Sequence, residues 1–134
     1  MGLDRRANPI EATLAVLERW GWVSGAFEAS DGFCVVGAFE SVTGLTLRGG
    51  SLYEMADLIA SFDVDSSIHL WLGIFALVGA TVDPPLTIDE ASERWSLHDA
   101  VGAIIRFNDD PEHTWEDTAL MLKRASATYD TELA

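Results

Sequence analysis

Positive charge is what this chain has least of. Eight Lys and Arg stand against 22 Asp and Glu, a formal net charge of −14 over 134 residues. Nucleic-acid affinity rests largely on counterions released when clustered bases neutralise phosphates. Here only Arg5–Arg6 and Lys123–Arg124 are adjacent basic pairs. Direct binding to nucleic acid or to an anionic membrane is therefore disfavoured, and a basic protein or a cation is favoured as partner. Cysteine is almost missing as well: Cys34 alone excludes an internal disulfide and fits a reducing cytoplasm. No apolar run follows Arg5 and Arg6, so no signal peptide is expected. The most apolar stretch, residues 68–80, falls short of the roughly 20 residues a bilayer requires. Phosphate-cradling glycine patterns and a Gly-x-Ser-x-Gly nucleophile elbow are also absent. No cofactor is expected.

What is present folds. Apolar residues make up 49% of the chain and charged ones 22%, ordinary values for a globule, and 134 residues suit one domain with its own core. Helix starts are well marked. Asn8-Pro9-Ile10-Glu11 offers an N-cap, a proline for the first helical position and a first-turn acid. Ile10, Leu14, Val16 and Leu17 then fall mostly on one face, up to Trp20. Ser/Thr-x-x-Asp/Glu recurs at Ser51…Glu54, Thr87…Glu90, Ser96…Asp99 and Thr114…Asp117. Several acids are thus explained by capping before any partner is invoked.

Between Gly21 and Gly44 the texture changes. Apolar runs flank Ser30-Asp31-Gly32, a hairpin signal; the second run could equally pass from a short strand into a helix from Cys34 to Val42, stopped at Gly44. Gly49-Gly50 and residues 81–86 read as loops, with Asp83 extended ahead of Pro84. The expected fold is a single α+β domain spanning 1–134, mostly helical, with about five helices and a small β-hairpin near residues 22–36.

Two segments carry a resemblance. Trp20-Gly21-Trp22 followed by Asp31-Gly32-Phe33-Cys34-Val35-Val36-Gly37-Ala38-Phe39 resembles the Gly-Trp…Asp-Gly…Cys-Leu-x-Gly-Ala-Leu signature of a family of small uncharacterised proteins from actinobacteria and their phages. Phe107-Asn108-Asp109…Pro111…Thr114…Glu116-Asp117, with Leu122 and Ala125 beyond, is similar to that family's Trp-Asn-Asp-x-Pro-x-x-Thr-x-x-Asp-Val and final helix. The likeness covers residues 10–44 and 100–126. The chain departs from it at Phe107, where Trp is commoner, and by one extra acidic step before Pro111. The resemblance implies a small cytoplasmic domain from an actinobacterial or phage genome; it supplies no catalytic residue.

The acidic loop from Arg106 to Asp117 is the sharpest chemical candidate. Asn108, Asp109, Asp110, Glu112 and His113 put oxygen and nitrogen donors within six residues, and hard cations need convergent oxygens. The spacing is not that of an EF-hand, and His69 and His98 lie too far along the chain to complete a helical zinc pair. In structural terms Asn108 and Asp109 set a turn, Pro111 braces it and Thr114 caps the last helix, leaving only His113 without such a task. Cys34 with His98 or His113 has the composition of a thiol triad, and a helix start at Cys34 would lower its pKa. The flanking Phe33, Val35 and Val36 instead suit a small buried thiol. Of the aromatics, Trp20, Trp95 and Trp115 are expected in the core. Trp71 and Phe75, in a run apolar almost all round, belong to the core or to an apolar interface.

The leading reading is a non-enzymatic binding or regulatory module acting through protein–protein contacts. Asp109, Asp110, Glu112, His113, Glu116 and Asp117 form its binding face, and Trp71 and Phe75 an apolar contact. A homodimer through residues 68–80 is a candidate assembly. No metal or catalytic residue is assigned. The rivals are a metal-assisted hydrolase using the 108–113 loop and an acidic DNA mimic that inhibits a nucleic-acid-binding host protein.

Overall fold

The structure, a computed structural model, describes residues 8–24, 28–29, 32–44 and 64–133. Ser51…Glu54 and Gly49-Gly50 lie outside them. In chain order the elements are α1 (Pro9–Trp20), β1 (Glu28–Ala29), β2 (Gly32–Phe33), α2 (Val35–Thr43), α3 (Val64–Gly79), α4 (Ile88–Arg94), α5 (Leu97–Asp109) and α6 (Trp115–Leu133). Six helices are thus described where about five were expected.

Helix starts fall where the capping residues place them. Asn8 Oδ1 accepts from the Ile10 and Glu11 N–H groups, opening α1. Thr87 and Glu90 form a reciprocal box, each side chain accepting from the other's backbone N–H. Ser96 Oγ accepts from Asp99 N–H, and Thr114 and Asp117 repeat the reciprocal box at the head of α6. The exposed Glu90 and Asp117 carboxyls are both held below their usual range, each chiefly by the N–H it accepts from.

Ser30 and Asp31 of the expected turn lie outside the described residues. The hairpin near residues 22–36 is slighter than expected, and the run from Cys34 passes into a helix. The strands are two residues each, pairing Glu28 with Phe33 and Ala29 with Gly32, and the chain then enters α2 at once. Gly44, left-handed at φ 77°, ends α2 as a C-cap. Phe33 also bonds sideways: its N–H donates to the Gly21 carbonyl (3.0 Å), and its carbonyl accepts from Val23 N–H (2.9 Å). That close approach explains Gly32, since a Cβ there would collide with the Gly21 carbonyl. Trp20-Gly21-Trp22 is thereby stitched to β2.

α3 is the central helix. Leu70, Ile74, Phe75, Ala76, Leu77 and Val78 are all buried, and the helix packs on α1, α4, α5 and α6. An apolar run without a polar face is what such a position demands. Of the residues 68–80 considered for a dimer contact, only Ile68 (50%) and Trp71 (36%) are exposed large hydrophobics. Trp20 departs from expectation: it is 59% exposed, at the last turn of α1, with the Arg19 guanidinium 5.2 Å over its ring. Capping of the ring by a cation offsets the exposure that core burial was expected to remove. Among the described residues no helix is long and apolar enough to cross a membrane.

Candidate functional site

Asn108 is the keystone of the acidic segment, and it is not in a turn. It occupies the last turn of α5, fully buried, with every hydrogen-bonding atom engaged. Its Oδ1 accepts from the Trp22 indole N–H (2.7 Å) and from Val35 N–H (3.0 Å) at the start of α2. Its Nδ2 donates to the Val23 carbonyl (3.0 Å) and to Asp109 Oδ1 (2.9 Å). One side chain thus joins α5, the segment after α1 and the head of α2. The two signature segments, some 70 residues apart in sequence, meet at this amide, and Trp22 also packs on Trp115 with ring centres 6.2 Å apart.

The remaining loop residues divide between structure and surface. Asp109 is spent on Asn108. Asp110 ends α5, and its Oδ1 accepts from Glu112 N–H (2.9 Å), a local side-chain turn of the kind aspartate favours. Asp117 closes the α6 cap, while Glu112 and Glu116 are exposed. His113 does have a structural task, contrary to the sequence expectation. Its Nδ1 lies 2.8 Å from the Phe107 carbonyl, and its ring packs on Phe107 with centres 4.0 Å apart. A carbonyl only accepts, so Nδ1 carries a proton, and whenever the ring is neutral Nε2 is the nitrogen with the free lone pair. Asp110 Oδ2 stands 4.0 Å from the same Nδ1. Sequence could not show this task, because the partner is a backbone oxygen six residues back.

The loop therefore does not converge on a cation. Among the described residues no group of three or more His, Cys, Asp or Glu side chains is placed to hold a metal ion. The thiol rival fares no better. Cys34 does cap α2, accepting from Gly37 N–H at 3.3 Å, but burial pushes its pKa up against the lowering by the Gly37 and Val36 N–H groups. The expected depression at the helix start is outweighed by desolvation, since Cys34 is buried. His98 is exposed on α5.

Two clefts remain. One, of about 500 Å³, runs between α3 and the α4–α5 junction and is lined by Trp71, Leu72, Phe75, Ile88, Trp95 and Leu97, with Ser92 and Ser96 at its edge. Trp71 and Phe75 stack with centres 5.4 Å apart and planes 7° from parallel. Both serine hydroxyls are already engaged, Ser92 with the Asp89 carbonyl and Ser96 with Asp99 N–H. The groove thus offers apolar surface and little polar demand. The second cleft, of about 320 Å³, lies between the turn after α3 and one face of α6, and His113 and Asp117 line it. Of the expected site residues, then, Trp71 and Phe75 share one cleft and His113 and Asp117 the other. Asp109, Asp110, Glu112 and Glu116 line neither. Trp95, Ile88 and Leu97 went unread as groove residues because spacing alone marks them as ordinary inward positions.

The chain belongs to a family of unknown function (DUF6197), whose model matches residues 3–128. The match spans the stretch 45–99 that the signature resemblance left unaligned. No curated protein and no solved structure matches the chain.

Proposed function

We propose that this family member is a non-enzymatic protein-binding module that seats an apolar anchor of its partner in the Trp71–Trp95 groove. The observation that carries this reading is Trp71. It is one of four exposed large hydrophobics among the described residues, and its ring stacks on the buried Phe75. Rigid, half-exposed aromatics at the mouth of an apolar cleft are the groups that dominate binding energy at interfaces. The partner's chemistry follows from the rim. Asp89, Glu93 and Asp99 are exposed on the two flanking helices of a chain of net charge −14, with Arg94, its guanidinium 4.7 Å over the Trp95 ring, as the base among them. An apolar or aromatic anchor flanked by Lys or Arg complements that rim. Glu112 and Glu116 extend the acidic surface elsewhere.

Of the wider expectations, a homodimer through residues 68–80 has less to stand on, since most of those side chains are spent in the core. The hydrolase alternative lacks a convergent ligand set among the described residues. The DNA-mimic alternative loses Glu90 and Asp117 to helix caps. A cytoplasmic setting in an actinobacterial or phage genome stays part of the proposal, resting on composition and on the signature resemblance.

Selection of random displayed peptides against the full chain tests the reading. Enriched sequences are expected to pair an apolar or aromatic anchor with flanking Lys or Arg. A synthetic copy should lose about 2 kcal/mol, roughly 30-fold in affinity, on Trp71→Ala with helicity unchanged. Absence of any consensus, or binding indifferent to Trp71→Ala, would sink it.

A further inference from the structure

The second cleft carries chemistry that the groove reading does not use. Its α6 wall is Asp117, Leu120, Met121 and Arg124, spaced i, i+3, i+4 and i+7 and hence on one helical face. An acid leads that face and a base ends it, about 10 Å apart along the helix axis at 1.5 Å per residue. The opposite wall brings Val82 and Asp83, and the Phe107–His113 stack completes the lining. Arg124 is one of only eight bases in a chain with 22 acids, yet among the described residues its guanidinium meets no carboxylate at ion-pair distance. Asp83, across the cleft, likewise makes no side-chain hydrogen bond among the described residues. His113 has Nδ1 committed to the Phe107 carbonyl, so its ring adds one acceptor, Nε2, to the residues around the cleft.

A simple anion would meet the carboxylates of Asp83 and Asp117, and a simple cation would meet Arg124. Only a ligand carrying both signs satisfies Arg124 and Asp83 together, and Val82, Leu120 and Met121 offer apolar surface to a side chain beside its charges. We propose that this cleft binds a small zwitterion with an apolar side chain, of the amino-acid or short-peptide class. Arg124 takes its carboxylate, in the paired-donor fashion guanidinium allows. Asp83 takes its ammonium, with His113 Nε2 as a further acceptor. A volume of about 320 Å³ suits a ligand of this size.

The test is an NMR titration of the full chain, following the His113 ring and Arg124 guanidinium signals. The zwitterionic probes are L-leucine and the dipeptide Leu-Leu; N-acetyl-leucine and leucine amide each lack one charge. At least one zwitterion should shift both signals saturably, and each single-charge analogue should bind about tenfold more weakly, the loss of one charge-assisted contact. Whichever of leucine and Leu-Leu binds tighter identifies the source as free amino acid or peptide. Arg124→Gln should abolish the preference for leucine over leucine amide, and Asp83→Asn that over N-acetyl-leucine. Both positions are exposed, so helicity should not change. No saturable shift up to about 20 mM, or analogues that bind as well as the zwitterions, overturns the proposal.

Discussion

Single residues in this protein are explained by partners that are mostly backbone or distant. The phenol of Tyr129, fully buried, sits 2.7 Å from His69 Nδ1, a pairing of α6 with α3. Burial, and then the Asp130 charge, push its pKa up to about 12. The unfolded chain releases that proton near 10. The neutral phenol's contribution is therefore complete below pH 10 and is lost as pH rises towards 12, on the order of 2 kcal/mol. An absorbance titration of tyrosinate should show a component near pH 12 that disappears in Tyr129→Phe. Loss of a component near pH 10 instead would contradict the burial account. Thr118 has no explanation: its hydroxyl is buried and meets no hydrogen-bond partner among the described residues. Caps were legible at this scale, because Thr87, Ser96 and Thr114 each answer a group three residues away. Trp20 and His113 were not, since exposure and a carbonyl partner leave no mark in a residue pattern.

At the level of elements, the helices follow from periodicity and the strands barely do. α3 announces itself through residues 68–80, 13 consecutive residues with one histidine and no charge, and it is central because most of that run, from Ile74 to Val78 without a break, is buried. The β segment is different. β1 and β2 are two residues each, too short to be held by pairing alone, and their position depends on Phe33 bonding to Gly21 and Val23. Gly32 makes that approach feasible. Gly32→Ala should cost about 2 kcal/mol or more, through displacement of the Gly21 carbonyl, with little loss of far-ultraviolet helicity. Urea unfolding of the variant measures it; a midpoint equal to wild type would show that β2 does not need the contact. Asp-Gly suggests a turn for a local reason, whereas the structure shows at Gly32 a close packing of backbone on backbone that no spacing rule conveys.

The whole molecule is organised by one amide. Asn108's bonds to Trp22, Val23 and Val35 span 86, 85 and 73 residues, so the sequence could show Asn-Asp before a proline and suggest only a turn. In three dimensions the two segments that carried the resemblance are the two sides of one joint. The acids of the 106–117 segment largely serve caps, turns and that joint. The direct test is equilibrium urea unfolding of Asn108→Ala. Removal strands the Trp22 indole and Val35 N–H donors without partners at a buried site, a loss of about 3–5 kcal/mol with unfolding still a single transition. Against the 5–15 kcal/mol of a typical domain, that shift is large. A variant within about 0.5 kcal/mol of wild type would contradict the account and return the acidic segment to consideration as a functional site.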